Sequence, residues 1–325
     1  MEEIFVSTVA ELPIWMMVSL GFYLAYRGLK FPDLTVDVSF LAGMAATGCA
    51  AITWESSLAG LFLAIVLGAT AGAITTLIYL TNPRPAYKLL AGLLVVFGYY
   101  SVNYRVLGHR TYAVLTQQHT FMNALTDYEK SVGWESIGVI SLAIGFGLLA
   151  AQVCALAWFL RTRLGLAIRA VGSNPRVVRS SSGAKGLYLL LGLAMSNTIV
   201  ALGGWLYASL NKTANIAVFG TVIHALAAAI IGEVLVERMP KIKDRRSSAW
   251  ALLLAPLIGA MIYQTVRACI MYAVCHEYMS VDRSTYSISQ QDINTLVAVG
   301  IIVVVIGVRF LAMRSRLELA ADESD

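Results

Sequence analysis

Apolar runs of membrane-crossing length dominate the chain. Five stretches, residues 58–80, 136–160, 186–210, 213–232 and 247–266, contain no charged side chain. About 20 residues rising 1.5 Å each match the roughly 30 Å hydrocarbon slab, so each stretch can cross it as a helix. Four shorter runs, 12–26, 38–54, 89–104 and 293–308, reach a usable length once flanking Lys, Arg or aromatic groups extend to the interface. The pattern predicts an all-α polytopic membrane protein with about nine transmembrane helices. One membrane domain would cover 1–311 and a short tail 312–325.

The basic residues set an orientation. Taking alternate loops, residues 27–33, 81–88, 161–185, 237–246 and everything from 309 onward hold 18 Lys and Arg, whereas the other set holds 5. Basic loops stay on the cytoplasmic side, and one missed span would switch every later loop. The expectation is an N-terminus outside and a C-terminus inside. This asymmetry also accounts for the pI near 9.0 without any nucleic acid. The first charges are Glu2 and Glu3, where a cleaved signal would carry Lys or Arg.

Composition agrees, with 58% hydrophobic and 13% charged residues, against about one quarter charged in a soluble domain. The four cysteines (Cys49, Cys154, Cys269, Cys275) lack CxxC spacing and read as small, buried, unpaired thiols. The histidines 109, 119, 224 and 276 form no HExxH or i,i+4 pair, which argues against a metal site. No GxxxxGK[ST] or GxSxG occurs, so nucleotide hydrolysis and acyl-enzyme chemistry have no visible means. Glycines recurring in the spans (60, 68, 72, 138, 145, 147, 203, 204) read chiefly as close helix packing.

The most informative polar segment is 161–185, with six basic residues and no acidic one. Residues 164–168, followed by Arg169, suit a short amphipathic helix. Gly172, Ser173 and Asn174 suit a turn, and Pro175 the first position of a second helix capped by Asn174. Such a knob can dock in a groove of another protein; a basic loop touching anionic lipid is the plainer alternative.

At this point the residues resemble a family. The run Gly165-Leu-Ala-Ile-Arg169-Ala-Val-Gly172-Ser-Asn174-Pro175, with Arg179 and Gly183, is similar to the coupling loop of ABC-importer permeases of the branched-chain amino acid/ribose type. Phe31-Pro-Asp-Leu-Thr35-Val-Asp37-Val-Ser39-Phe40-Leu-Ala-Gly43 resembles the broken second span of that group, closest to its tryptophan/tyrosine-type branch. Asn197 through Gly204, and Gly220 through Glu233, resemble later spans. Val38 stands where the family commonly has Gly or Leu, and 237–246 is more basic than the family pattern.

The resemblance implies a permease subunit of an importer in a bacterial cytoplasmic (inner) membrane. It would move a small polar solute, an amino acid or related compound. The partners would be ABC ATPase subunits, an extracytoplasmic substrate-binding protein and a second permease subunit in a homodimer. This chain would carry no cofactor, ATP and Mg residing on the ATPase, and would not be an enzyme. Arg169 and Arg176 would contact the ATPase, while Gly172, Asn174 and Pro175 shape the turn.

Among polar residues in the spans, Asp37 either caps the second helix through the N–H groups of Ser39 or Phe40 or lines the pathway, with Ser39 and Phe40 beside it. Asn197 binds a neighbouring helix or the solute. His224 reads as structural. Glu233 reads as paired with the 238–246 cluster, and Arg267 as extending to headgroups. The alternative function, a secondary transporter coupled to H⁺ or Na⁺, has Asp37 as its one good candidate. A membrane enzyme lacks paired catalytic residues.

Overall fold

The computed structural model describes residues 2–115, 139–173, 185–217, 220–238, 249–278 and 299. Nine α-helices are described: α1 (Glu2–Tyr23), α2 (Val36–Trp54), α3 (Ser57–Thr81), α4 (Pro85–Val106), α5 (Val139–Arg161), α6 (Arg163–Ser173), α7 (Lys185–Asn211), α8 (Thr221–Arg238) and α9 (Ala249–Tyr278). A π-helical turn, Leu24–Gly28, extends α1.

Seven of these elements are long and apolar enough to cross a membrane: Thr8–Gly28, Val36–Trp54, Ser57–Thr81, Pro85–Val106, Ile140–Arg161, Lys185–Asn211 and Leu252–Ile270. Each coincides with a predicted span. Over the expected span 213–232 the helix covers only the later part, a shorter apolar helix Thr221–Val236. Lys212 and Gly220 both take positive φ, 54° and 112°, residues 213–217 form a strand and a turn, and the shorter apolar helix starts at Thr221. Freedom from charge identified an apolar stretch but could not register these backbone breaks. Nearly all of the ninth predicted span, 293–308, lies outside the described residues, as does the tail.

The all-helical expectation needs one addition. Strand β1 (Tyr112–Val114) pairs antiparallel with β2 (Thr213–Asn215), Ala113 opposite Ala214. Both alanines are buried, which ties the segment after α4 to the end of α7.

Helix α2 is the centre of the bundle. Of its membrane-length window 78% is buried, against 17% for α5. Its neighbours are α3 and α7, and small residues set their spacing. A Cβ on Gly43 would lie 1.9 Å from the Ala201 carbonyl oxygen, and one on Gly204 would lie 2.0 Å from that of Phe40. Backbones that close leave no room for any side chain. At Gly147, by contrast, an added Cβ would meet no described residue within 4 Å.

One end of the bundle gathers basic residues at its element ends: Arg27, Lys30, Arg84, Lys88, Arg161, Arg163 and Lys185. Contacts hold these ends together. Lys88 Nζ donates to the Lys30 carbonyl at 2.7 Å, and Arg27 pairs with Glu233 at 3.3 Å. Glu233 therefore takes its partner from the α1 extension, and residues 239–246 of the cluster expected to pair with it lie outside the described residues. The thiols of Cys154 and Cys269 are unpaired but exposed rather than buried.

Candidate functional site

Between the π-helical turn and α2 the chain reverses. Lys30 adopts the left-handed conformation (φ 51°), and residues 31–35 then run back into the bundle. Phe31, Asp33 and Thr35 are completely buried. Phe31 packs edge-on against Tyr79 at 5.3 Å. Asp33 organises the approach to α2, its Oδ1 accepting from the Thr35 backbone N–H at 2.9 Å, an Asx-type turn.

Asn197, midway along α7, closes on this turn. Its Nδ2 donates to Asp33 Oδ2 at 2.7 Å and to the Leu193 carbonyl at 3.0 Å. Its Oδ1 accepts from Ser39 Oγ at 2.6 Å and lies 3.1 Å from Thr35 Oγ1, which also reaches Asp33 Oδ1. All four side chains are fully buried. An unpaired polar group in such surroundings costs several kcal/mol, so the four satisfy one another. Burial pushes the Asp33 carboxyl above its usual range, opposed by the bonds from Thr35 and Asn197.

The expected pathway residues thus separate. Ser39 and Asn197 come together. Asp37 does not cap its own helix: α2 begins without a side-chain cap, and Asp37 Oδ1 accepts from the backbone N–H of Val222 at 3.0 Å. The carboxylate faces α8, whose first N–H groups lack partners within their own helix. Phe40 points elsewhere, stacked on Trp15 at 5.9 Å. Asp33 and Thr35 were not among the sequence candidates. The signal available for them was the Asp-x-Thr spacing just before an apolar run, an Asx-turn pattern.

At the basic end, α6 is amphipathic as expected, with Ile168 and Val171 buried and Leu164 and Leu166 exposed. Its extent differs from expectation. Gly172 and Ser173 are helical rather than in a turn, and a Cβ on Gly172 would lie 2.1 Å from the Gly28 carbonyl oxygen. Close approach to the α1 extension is what this glycine provides. Arg169 Nη2 donates to the Leu160 carbonyl at 3.3 Å, serving the end of α5, where carbonyls lack helical partners. Asn174, Pro175 and Arg176 lie outside the described residues.

Two further expectations resolve. His224 is held structurally, its Nδ1 donating to the Gly220 carbonyl at 2.9 Å. Arg267 does not extend away from the bundle; it pairs with Glu11 at 3.2 Å.

Comparison with known proteins adds the family. Residues 4–310 match the family described as branched-chain amino acid transport system / permease component. The chain is 28% identical over 260 residues to a tyrosine transport system permease protein of Clostridioides difficile (strain R20291), covering 80% of each. It is 30% identical over 180 residues to a galactose/methyl galactoside import permease protein of Escherichia coli (strain K12), covering 54% of this chain and 50% of the relative. An uncharacterised protein of Rickettsia prowazekii (strain Madrid E) is 30% identical over 233 residues, 71% of this chain and 77% of its own. No solved structure matches.

Proposed function

The chain belongs to the branched-chain amino acid transport system permease family, and from that premise we propose that it is the membrane-spanning subunit of an ATP-driven importer for an amino acid. It works in a bacterial inner membrane as a homodimer, with separate ATPase subunits and an extracytoplasmic binding protein. It crosses the membrane about nine times, N-terminus outside and C-terminus inside, with the second span broken ahead of α2, and the basic end faces the cytoplasm.

The observation that carries this reading is the contact of α6 with the segment that holds Asp33. Gly172 abuts Gly28, and Ile168 and Val171 share a buried cluster with Leu29 and Phe31. Four residues beyond Leu29 lies Asp33, bonded to Asn197. A push on α6 from below therefore reaches the junction of α2 and α7 through packed groups. Segment 161–185, with Arg169, Gly172, Asn174, Pro175 and Arg176, is the coupling element. Movement of α2 against α7 would open a route at Ser39 and Asn197, where the two helices meet. The tyrosine permease relative supports an amino acid as the solute.

Reversing the charges of Arg169 and Arg176 together tests the coupling. Loss of ATPase co-purification and of uptake, with normal membrane insertion, is expected. Retention of both excludes the docking role.

A second reading, secondary transport coupled to protons, draws support from the buried Asp33 carboxyl. Uptake by the purified chain alone in liposomes, driven by a proton gradient without ATP, would favour it over the importer.

A further inference from the structure

Apart from the Asn197 network, five aromatic rings from five helices converge. Trp15 of α1 stacks on Phe40 of α2 and meets His224 of α8 at 4.7 Å. Phe40 meets Tyr207 of α7 at 5.7 Å, and His224 meets Tyr263 of α9 at 5.2 Å. Phe40 and Tyr263 are buried, while Trp15, Tyr207 and His224 are half-buried. Beside the rings lies the ion pair of Glu11 and Arg267. Trp15 Nε1 donates to the same Glu11 oxygen that holds Arg267, at 3.2 Å, and the guanidinium carbon is 5.9 Å from the Trp15 ring.

Stability alone is a poor reason for this pair, because a desolvated ion pair is often replaceable by apolar contact at no loss. The two side chains keep 26% (Glu11) and 17% (Arg267) of their exposure, so a solute can reach them. Their chemistry is that of a zwitterion turned inside out. A carboxylate accepts an ammonium group, and a guanidinium takes a carboxylate through two parallel hydrogen bonds. Ring faces and edges accept an aryl group. A zwitterion entering here exchanges one internal pair for two and brings no net charge. A plain amine or carboxylate would strand the opposite member, an expensive mismatch.

We propose that Glu11 and Arg267, with the half-buried Trp15 and Tyr207, form a contact site for the ammonium, carboxylate and ring of an aromatic amino acid passing through this subunit. The inference rests on the amino-acid importer reading. Glu11 takes the ammonium, Arg267 the carboxylate, and the half-buried rings the aryl group.

The test uses the full chain complexed with its ATPase in nanodiscs, without the binding protein, and measures binding of radiolabelled L-tyrosine. Uptake by the complete transporter, binding protein included, is measured in parallel. Wild type is expected to bind L-tyrosine. Tyramine and 3-(4-hydroxyphenyl)propionate, each lacking one charge, should compete at least about tenfold less well, the loss expected for one charge-assisted contact. The double exchange Glu11→Arg with Arg267→Glu keeps an ion pair but reverses its polarity, and should weaken binding by at least about tenfold. Binding by this variant equal to wild type overturns the site, as would competition by either analogue equal to that of unlabelled L-tyrosine. Should the exchanged variant fail to assemble, Arg267→Lys decides: weaker binding supports the site, and unchanged binding overturns it. Tyrosine uptake by the complete transporter with no binding to the permease–ATPase complex overturns this site alone. Absence of any amino-acid uptake overturns the importer reading and the site with it.

Discussion

Asp37, in the first turn of α2, accepts a 3.0 Å hydrogen bond from the backbone N–H of Val222, in the first turn of α8. Gly220 and Thr221 bond to the same carboxylate. One negative charge thus serves the positive ends of two helices. It fixes the start of α8 to the central helix after a stretch of irregular backbone.

Replacing Asp37 by Ala leaves those N–H groups without their acceptor. The expected cost is about 2 kcal/mol of stability, read as a lowered unfolding midpoint in detergent. Faster hydrogen exchange should be confined first to residues 220–223. Asp37→Asn, which keeps an acceptor oxygen, should lose less. An unchanged midpoint for Asp37→Ala would show that the contact contributes nothing.

Asn197→Ala should cost more than its size suggests. It removes the donor to Asp33 and the acceptor for Ser39 at once, leaving buried groups unpaired at about 1–3 kcal/mol each. Asn197→Asp should be worse, since it replaces the amide donor to Asp33 and Leu193 with a carboxylate in a fully buried place. Thermal unfolding of both variants in the same detergent ranks them; Asp melting at or above Ala contradicts this account.

Protons in the network can be counted. Thr35 has one hydroxyl hydrogen but lies near both Asp33 Oδ1 and Asn197 Oδ1. If Asp33 is protonated, its hydrogen goes to Thr35 Oγ1 and that of Thr35 to Asn197, so every contact has a donor. Burial favours the same form, raising the Asp33 carboxyl above its ordinary 3.8. The sign follows: the folded state holds this proton where the unfolded chain has lost it. Its contribution to stability is full below about pH 4 and declines as pH rises through the folded value. Asp33→Asn should flatten that decline. A protonated-carboxyl infrared band, absent from the variant, should be visible above pH 4. A wild-type spectrum without the band overturns the assignment.

Two glycines make a controlled pair. Gly172→Ala must displace α6 from the Gly28 carbonyl, and should reduce ATP-driven uptake severalfold while membrane insertion stays normal. Gly147→Ala places its methyl where no described residue lies within 4 Å and should leave uptake unchanged. Equal uptake by both variants would remove the mechanical role given to the α6 contact.

Much of the architecture was legible because membrane spans are written locally. A run of about 20 residues without charge needs no partner to be recognised, and seven of the nine expected runs correspond to helices of crossing length. The amphipathic start of segment 161–185 was readable for the same reason. Backbone conformation was not: the late start of α8 goes with positive φ at Lys212 and Gly220. The candidate site was legible only in part. Ser39 and Asn197 stood out as polar residues in apolar spans, but their partners Asp33 and Thr35 lie just ahead of one.

Chain order alone thus located seven segments that form helices long and apolar enough to cross a membrane, because the cost of a charge in hydrocarbon is set residue by residue. Tertiary structure decided where each buried polar group finds its partner. Asp37 turned to Val222, 185 positions away, Asn197 to Asp33 at 164, and Arg267 to Glu11 at 256. The physical reason is that a polar side chain removed from water binds the nearest complementary group in space, and helix packing sets that proximity.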